Sequence, residues 1–378
     1  MNVFYVTESS FPQNMVWTKQ RINNLFFFLG IAAVVVMLFT FDVSFVELWE
    51  HLMRAGYWLV PIVGVWFFIY GVNALSWQCI IRSNCTEEES VRVSFWRIFR
   101  LTITGYALNY ATPVGGLGGE PYRIMELSRD MSKEHATSSV ILYAMMHVFA
   151  HFWFWFTSIF LYLALAAVGD LPLNTAVGIV LGFIALLFFA ALYLFTAGYR
   201  YGLVVNIIRW IGKIPGLRKW SRSFSERHAE SLQHIDEQIA ALHRQDKKAF
   251  YNSLLLEYLS RILQSSEVFF MLILFGIDCG GGVGGLCLTY LHSILVVALT
   301  SFLANLIGFL PMQIGVQEGG FVISIAALGL SAALGIFVSI ICRVREIIWI
   351  IVGIALMKVI NPNRSLEIYS IPFSNDRH

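Results

Sequence analysis

Apolar residues in this chain run in long unbroken stretches, with neither the alternation of strands nor the stripes of surface helices. Runs at 24–41, 57–77, 138–164, 175–197, 249–275 and 333–358 match the ~20 residues that a helix needs to cross a ~30 Å hydrocarbon core. Six full spans are predicted. Two further apolar stretches, 98–112 and 289–310, run into Pro/Gly-rich breaks and resume as short segments at 119–128 and 317–330. Each reads as a re-entrant helical hairpin, because irregular backbone is tolerated at membrane depth only where protein or a water-filled cavity covers it. Eight complete crossings is the alternative.

The two breaks resemble one another. The first reads TPVGGLGGEPYR at 112–123, the second GFLPMQIGVQEGGF at 308–321. Pro113 and Pro311 precede Glu120 and Glu318 by the same interval, with Gly115, Gly116, Gly118 and Gly119 in one and Gly315 in the other. A short helical piece, a turn (130–132; 329–331) and a full span follow each glutamate. Three full spans separate the hairpins, so the predicted topology inserts them from opposite faces. Such an inverted repeat is expected of transporters whose site lies at the midplane between broken helices. Proline removes an amide donor and glycine permits close backbone approach, so the helix ends there. The N–H groups opening the next short helix can seat a phosphate or carboxylate. Alternatively, the glutamate caps its own helix.

Composition agrees with this class. The chain is 57% hydrophobic and 13% charged, against ~25% charge in soluble domains. A net charge of +2 over 378 residues gives no reason to expect nucleic acid as a partner. Basic residues concentrate in 198–248 and between Arg82 and Lys133, which places those segments in the cytoplasm, and with them both termini. The expected organisation is one integral membrane domain, 1–360. It holds hairpin one at 98–128, a cytoplasmic amphipathic segment at 198–248 and hairpin two at 289–330. Residues 361–378 form a short cytoplasmic tail. No cleavable leader is read at the N-terminus, and the first span serves as an uncleaved anchor.

Ionisable residues inside the spans are the candidate chemistry, since each costs at least ~2.5–3.5 kcal/mol to place at the bilayer centre. Arg343 lies about ten residues into the last span and suits a phosphate, whose oxygens match the guanidinium fork. Glu257 and Arg261 stand one helical turn apart and read as an internal pair. His147 and His151 are also one turn apart, but no third ligand has suitable spacing, so neither metal nor cofactor is predicted. No P-loop, nucleophile elbow or kinase signature appears.

The motifs TPVGGLGGEPYR and LPMQIGVQEGG, with an arginine in the closing span, resemble those of the membrane flippase domain of the lysylphosphatidylglycerol synthases and its stand-alone relatives. The family pattern maps onto Pro113, Gly115, Gly116, Gly118, Gly119, Glu120 and Arg123, then Pro311, Gly315, Glu318 and Gly319. The resemblance implies a carrier of aminoacylated or other polar lipids in the bacterial cytoplasmic (inner) membrane, with Glu120, Arg123, Glu318, Arg343, His147 and the motif glycines contacting substrate. Many members carry a Glu-Arg pair and an acidic residue in the span after the first motif. Here Tyr143, Ala144 and His147 stand there, which points away from lysyl-phosphatidylglycerol as the substrate. With about twenty residues after the last span, an aminoacyl-transferring domain is not expected. Partners would be membrane lipids, a second copy packed on aromatic-rich stretches such as HFWFWF, and a separate lipid-modifying enzyme. The competing readings are a membrane-embedded transferase with Glu120 or His147 as general base, and an accessory subunit of a lipid-synthesis enzyme.

Overall fold

The computed structural model describes residues 55–84, 92–111, 118–201, 247–277, 280–306 and 315–359, with Met53, Thr86, Glu89 and scattered positions between 206 and 237. The expected first span at 24–41, the tail at 361–378, and Pro113, Gly115, Gly116 and Pro311 lie outside the described residues.

Every regular element among the described residues is helical. After a short 3-10 turn at Gly56–Trp58 come α1 (Leu59–Asn84), α2 (Phe95–Ala111), α3 (Gly119–Leu127), α4 (Lys133–Ala167) and α5 (Thr175–Tyr201). Then follow α6 (Arg218–Arg227), α7 (Lys247–Leu274), α8 (Gly282–Leu306), α9 (Val316–Ala327) and α10 (Ala332–Val359). Four of these, α1 with its lead-in turn, α4, α5 and α8, are long and apolar enough to cross a membrane. Helices α7 and α10 have 28 residues each, about 42 Å at ~1.5 Å per residue. Their apolar runs are interrupted by Glu257, Arg261 and Glu267 in one and by Arg343, Arg345 and Glu346 in the other. At 9 and 12 residues, α3 and α9 reach only about 14 and 18 Å.

The short helices α3 and α9, and the turns that follow them, fall where the sequence puts them. Serines open both helices that follow the short pieces: the Ser132 hydroxyl accepts from His135 N at 3.2 Å and the Ser331 hydroxyl from Leu334 N at 3.4 Å. These N-caps satisfy amides that the first turn leaves without a carbonyl partner. Gly315, at φ 81°, turns the chain into α9 through a conformation that a side chain would strain.

The packing is reciprocal. Helix α1, which precedes the first broken pair, lies along α7, which precedes the second. Helix α2 lies along α10, and α8 lies along α4. Thus the first limb of each broken pair packs on the long helix that follows the other. Small residues set the closest approaches. A Cβ at Gly119 would collide with the Gly105 carbonyl of α2, one at Gly105 with the Arg123 guanidinium, and one at Gly335 with the Val322 backbone of α9.

Two apolar cores result. One gathers Trp77, Ile98, Leu101, Tyr122 and Tyr143 around the first broken pair. The other gathers Phe154, Val296, Phe321, Phe337 and Ile341 around the second. Helix α4 enters both, and α7 contributes Phe250 to one and Met271 to the other, so charged side chains of α7 fall between them. Helix α5 packs on α4 alone among its larger contacts and turns Ile179, Leu186, Phe189 and Tyr193 outward, as a lipid-facing helix does. Within the amphipathic segment Ile208 and Leu232 are buried, at 8% and 6% exposure, so part of it packs on protein.

Gly119→Ala and Gly335→Ala should therefore each destabilise the detergent-solubilised protein by about 1–3 kcal/mol through overpacking. Gly178→Ala on α5, where an added Cβ meets nothing within 4 Å, should leave the thermal midpoint unchanged or raised.

Candidate functional site

At the first break, polar residues of α2 prepare the entry to α3. The Asn109 carbonyl oxygen accepts from Gly119 N at 2.6 Å, and its amide donates to Glu120 Oε1 at 3.2 Å. A side chain from the neighbouring helix thus caps α3, and Glu120 does not have to. Arg123, only 2% exposed, donates to Glu120 Oε1 and to the Thr102 carbonyl, each at 3.2 Å. Its guanidinium lies 5.6, 5.0 and 5.3 Å from the ring centroids of Trp77, Tyr106 and Tyr143. So clasped, Arg123 ties α3 to α2 and leaves Glu120 Oε2 buried without a hydrogen-bond partner.

The second break solves the same problem differently. Glu318 does cap its own helix, accepting from Gly315 N at 2.8 Å, and its other oxygen takes Arg343 Nε at 2.7 Å. Arg343 also donates to Glu346 at 2.8 Å, and Gln317 donates to the other oxygen of Glu346 at 3.0 Å. Two residues along α10, Arg345 forks onto Glu267 of α7 at 2.8 and 3.1 Å. Trp66 of α1 completes that clasp, donating to Glu267 at 2.9 Å with its ring 3.9 Å beneath the guanidinium carbon. Both partners are 3% exposed. Bidentate geometry with an added donor is what an ion pair needs to offset its desolvation.

Between the breaks, α7 presents Glu257, Arg261, Gln264 and Glu267 at helical spacing. The predicted Glu257–Arg261 pair is present but long, at 3.9 Å. His147 of α4 wedges into it. Its Nδ1 lies 2.8 Å from Glu257 Oε2 and 3.0 Å from the Tyr106 hydroxyl, while Arg261 Nη2 lies 2.8 Å from both ring nitrogens. Glu257 Oε1 and Arg261 Nε are buried without partners.

These groups border one cavity of about 760 Å³. It touches Glu120 and Arg123 of the first break, Gln317 of the second, His147 and His151 of α4, and Arg261, Glu267, Arg345 and Glu346 between them. Of the predicted site residues, Glu120, Arg123 and His147 line it directly. Glu318 and Arg343 pair with each other one shell behind Gln317 and Glu346. Gly118 and Gly119 open α3 and Gly315 opens α9, while Gly115 and Gly116 lie outside the described residues. The amides seen as anion seats are occupied here, Gly119 N by Asn109 and Gly315 N by Glu318. Sequence reasoning missed Asn109, Tyr106, Gln264 and Gln317 as parts of the site. Only Asn109 carried a signal, a carboxamide in an apolar run just before the proline break.

The family described as "Lysylphosphatidylglycerol synthase TM region" matches residues 27–354. The chain belongs to that family, and with its long apolar helices it is a multi-pass membrane protein. A "UPF0104 membrane protein" of Methanothermobacter thermautotrophicus is 24% identical over 316 residues, spanning 80% of this chain and 85% of the relative. No solved structure matches the chain significantly.

The arrangement separates charges braced between long helices from charges at the cavity wall. Glu267→Ala strands Arg345 in a buried site and should cost about 3–5 kcal/mol. Glu120→Gln keeps an oxygen for Arg123 and the Asn109 contact while losing the charge that faces the buried guanidinium, and should cost less than Glu267→Ala. Differential scanning fluorimetry of the two variants beside wild type checks this ranking.

Proposed function

We propose that this protein is a lipid flippase: a carrier that moves a polar or aminoacylated phospholipid between leaflets, with no catalytic step of its own. The observation that carries this reading is a charged cavity bordered by Glu120 and Arg123 of the first motif and Gln317 of the second. Its volume falls within the ~300–1,000 Å³ of small-ligand sites, room for a headgroup while acyl chains stay in the bilayer. A cavity with donors and acceptors on opposite walls replaces water around a phosphate and an amine, which the hydrocarbon core does not.

In this reading the chain has six full spans and two re-entrant hairpins, α2–α3 and α8–α9, inserted from opposite faces. The short second limbs, too short to cross, favour hairpins, and the reciprocal packing supports an inverted repeat. Both termini face the cytoplasm of a bacterial inner membrane, and residues 1–360 form one membrane domain. Glu120 offers its unpartnered oxygen to a cationic headgroup group. Glu318 and Arg343 exchange their mutual ion pair for contacts with the headgroup as the second break opens, and the motif glycines let backbone approach it. Alternating access then consists of one hairpin loosening while the other stays clasped.

Reconstitution tests it. Purified protein in vesicles holding headgroup-labelled phospholipid should expose inner-leaflet label to an external quencher. Glu120→Gln and Glu318→Gln should slow that exposure about 10- to 100-fold, the worth of a hydrogen bond to a charged group. Protein-independent rates with every lipid of a native extract would overturn the carrier.

A further inference from the structure

Four arginines stand in or beside the cavity, and three are already neutralised. Arg123 is held by Glu120, Arg343 by Glu318 and Glu346, and Arg345 by Glu267. Arg261 differs. Its nearest carboxylate, Glu257, is at 3.9 Å, beyond hydrogen-bonding reach, and its bonds go to the neutral acceptors Gln264, at 3.2 Å, and His147, at 2.8 Å. Its Nε is buried and has no partner, and the side chain borders the cavity.

The contact with His147 fixes a protonation state. A guanidinium has donors only, so the imidazole must offer it a lone pair. Arg261 Nη2 stands 2.8 Å from both ring nitrogens, but Nδ1 also faces the Glu257 carboxylate at 2.8 Å and so carries the ring's hydrogen, which leaves Nε2 as the nitrogen that accepts. His147 is therefore neutral, with Nδ1–H donating to Glu257 and Nε2 accepting from Arg261. An imidazolium has no lone pair left. A proton on Nε2 and Arg261 on Nε2 exclude one another.

We propose that Arg261 is the phosphate-binding group of this cavity and that His147 is a proton-operated latch that withholds it. Protonated His147 keeps its bond to Glu257, repels the guanidinium and releases it, with its free Nε, to a phosphodiester in the cavity. The proton bound at Nε2 takes the place of the Arg261 hydrogen bond. Phosphate binding and proton uptake are then linked, and a proton gradient can drive headgroup movement. The other charged or titratable groups facing His147 are Tyr106 of α2 and Tyr143 and His151 of α4, with Glu120 and Arg123 of α3 across the cavity. None of them takes up the Arg261 hydrogen bond. The inference deepens the carrier reading and rests on it, although the latch itself is read by binding rather than transport.

The test uses the whole protein in detergent and phosphodiesters that do not titrate near neutrality: dihexanoyl phosphatidylglycerol and its chain-free headgroup, glycerophosphoglycerol. Affinity is measured calorimetrically from about pH 8 to about pH 5, a range that brackets the ordinary histidine value of ~6.5. Since the binding-competent form holds the extra proton, affinity should rise as pH falls, by up to about tenfold per unit, with about one proton taken up per ligand. His147→Gln, which retains a donor for Glu257 and an acceptor for Arg261, should abolish both the pH slope and the proton uptake. His135→Gln, outside the cavity, should keep them, and Arg261→Gln should weaken binding at every pH. Tight binding of the chain-free headgroup assigns the site to soluble phosphodiesters, and binding that needs acyl chains assigns it to lipid. A pH slope that survives in His147→Gln, or undiminished affinity in Arg261→Gln, overturns the latch while leaving the carrier intact. Absence of binding by either probe at any pH, together with no lipid movement in vesicles, overturns both.

Discussion

Charge held between helices in a bilayer has no water to fall back on, and the Glu267–Arg345 clasp is where this bundle meets that constraint most fully. The fork, the Trp66 donor and the indole face together satisfy most of both side chains in a site with 3% exposure. The clasp joins α7 to α10 and, through Trp66, to α1. Those helices anchor the two halves of the packing, so the position of each broken pair follows from where α7 and α10 are locked. Removing the pair in favour of apolar residues of equal volume would often cost a protein nothing. Here the charges border a cavity, and an apolar replacement would dry it.

That cavity exists because backbone is allowed to approach backbone elsewhere. Gly119 on the carbonyl of Gly105, and Gly335 on the backbone of Val322, draw the short helices α3 and α9 flat against their neighbours. Tight contact at the flanks leaves the volume unfilled in the centre, where Glu120, Gln317 and the face of α7 meet. Gly119 and Gly335 thus shape the site through packing, so a residue pattern that looks like a binding loop is also a packing device.

Much of this was legible beforehand. The described helices and both turns follow from apolar run length and from glycine, which act locally and leave a mark in any sequence. The partners of the charges were less legible. Arg343 read as a vacant phosphate site, yet Glu318 and Glu346 hold it, and only three-dimensional proximity reveals that. The Glu257–Arg261 pair was visible as an i, i+4 spacing, but nothing local announces that a histidine 110 residues away sits between them. Asn109 was visible as a carboxamide in an apolar run, but its use as a cap for α3 was hidden for a similar reason. Capping by a neighbouring helix obeys no sequence interval, whereas the self-capping of Glu318 and the serine caps at 132 and 331 do.

The two halves are built alike and charged differently. Counting from the capping serines, Ala144 and Arg343 occupy the same place twelve residues on, and His147 and Glu346 the same place fifteen residues on. In the second half that place holds a carboxylate facing Arg343 and Arg345, at 2.8 and 3.7 Å. In the first it holds an imidazole facing a carboxylate and a guanidinium. A carboxylate between two arginines has little reason to change its charge, because losing it would strand both cations. An imidazole between one group of each sign has a reason to do so whenever a ligand takes the guanidinium away. A carrier made of two identical halves would have no preferred direction of coupling. Under the latch proposed above, the imidazole at this place stands in one half only, so that one end of the cavity changes charge while the carboxylate end keeps it.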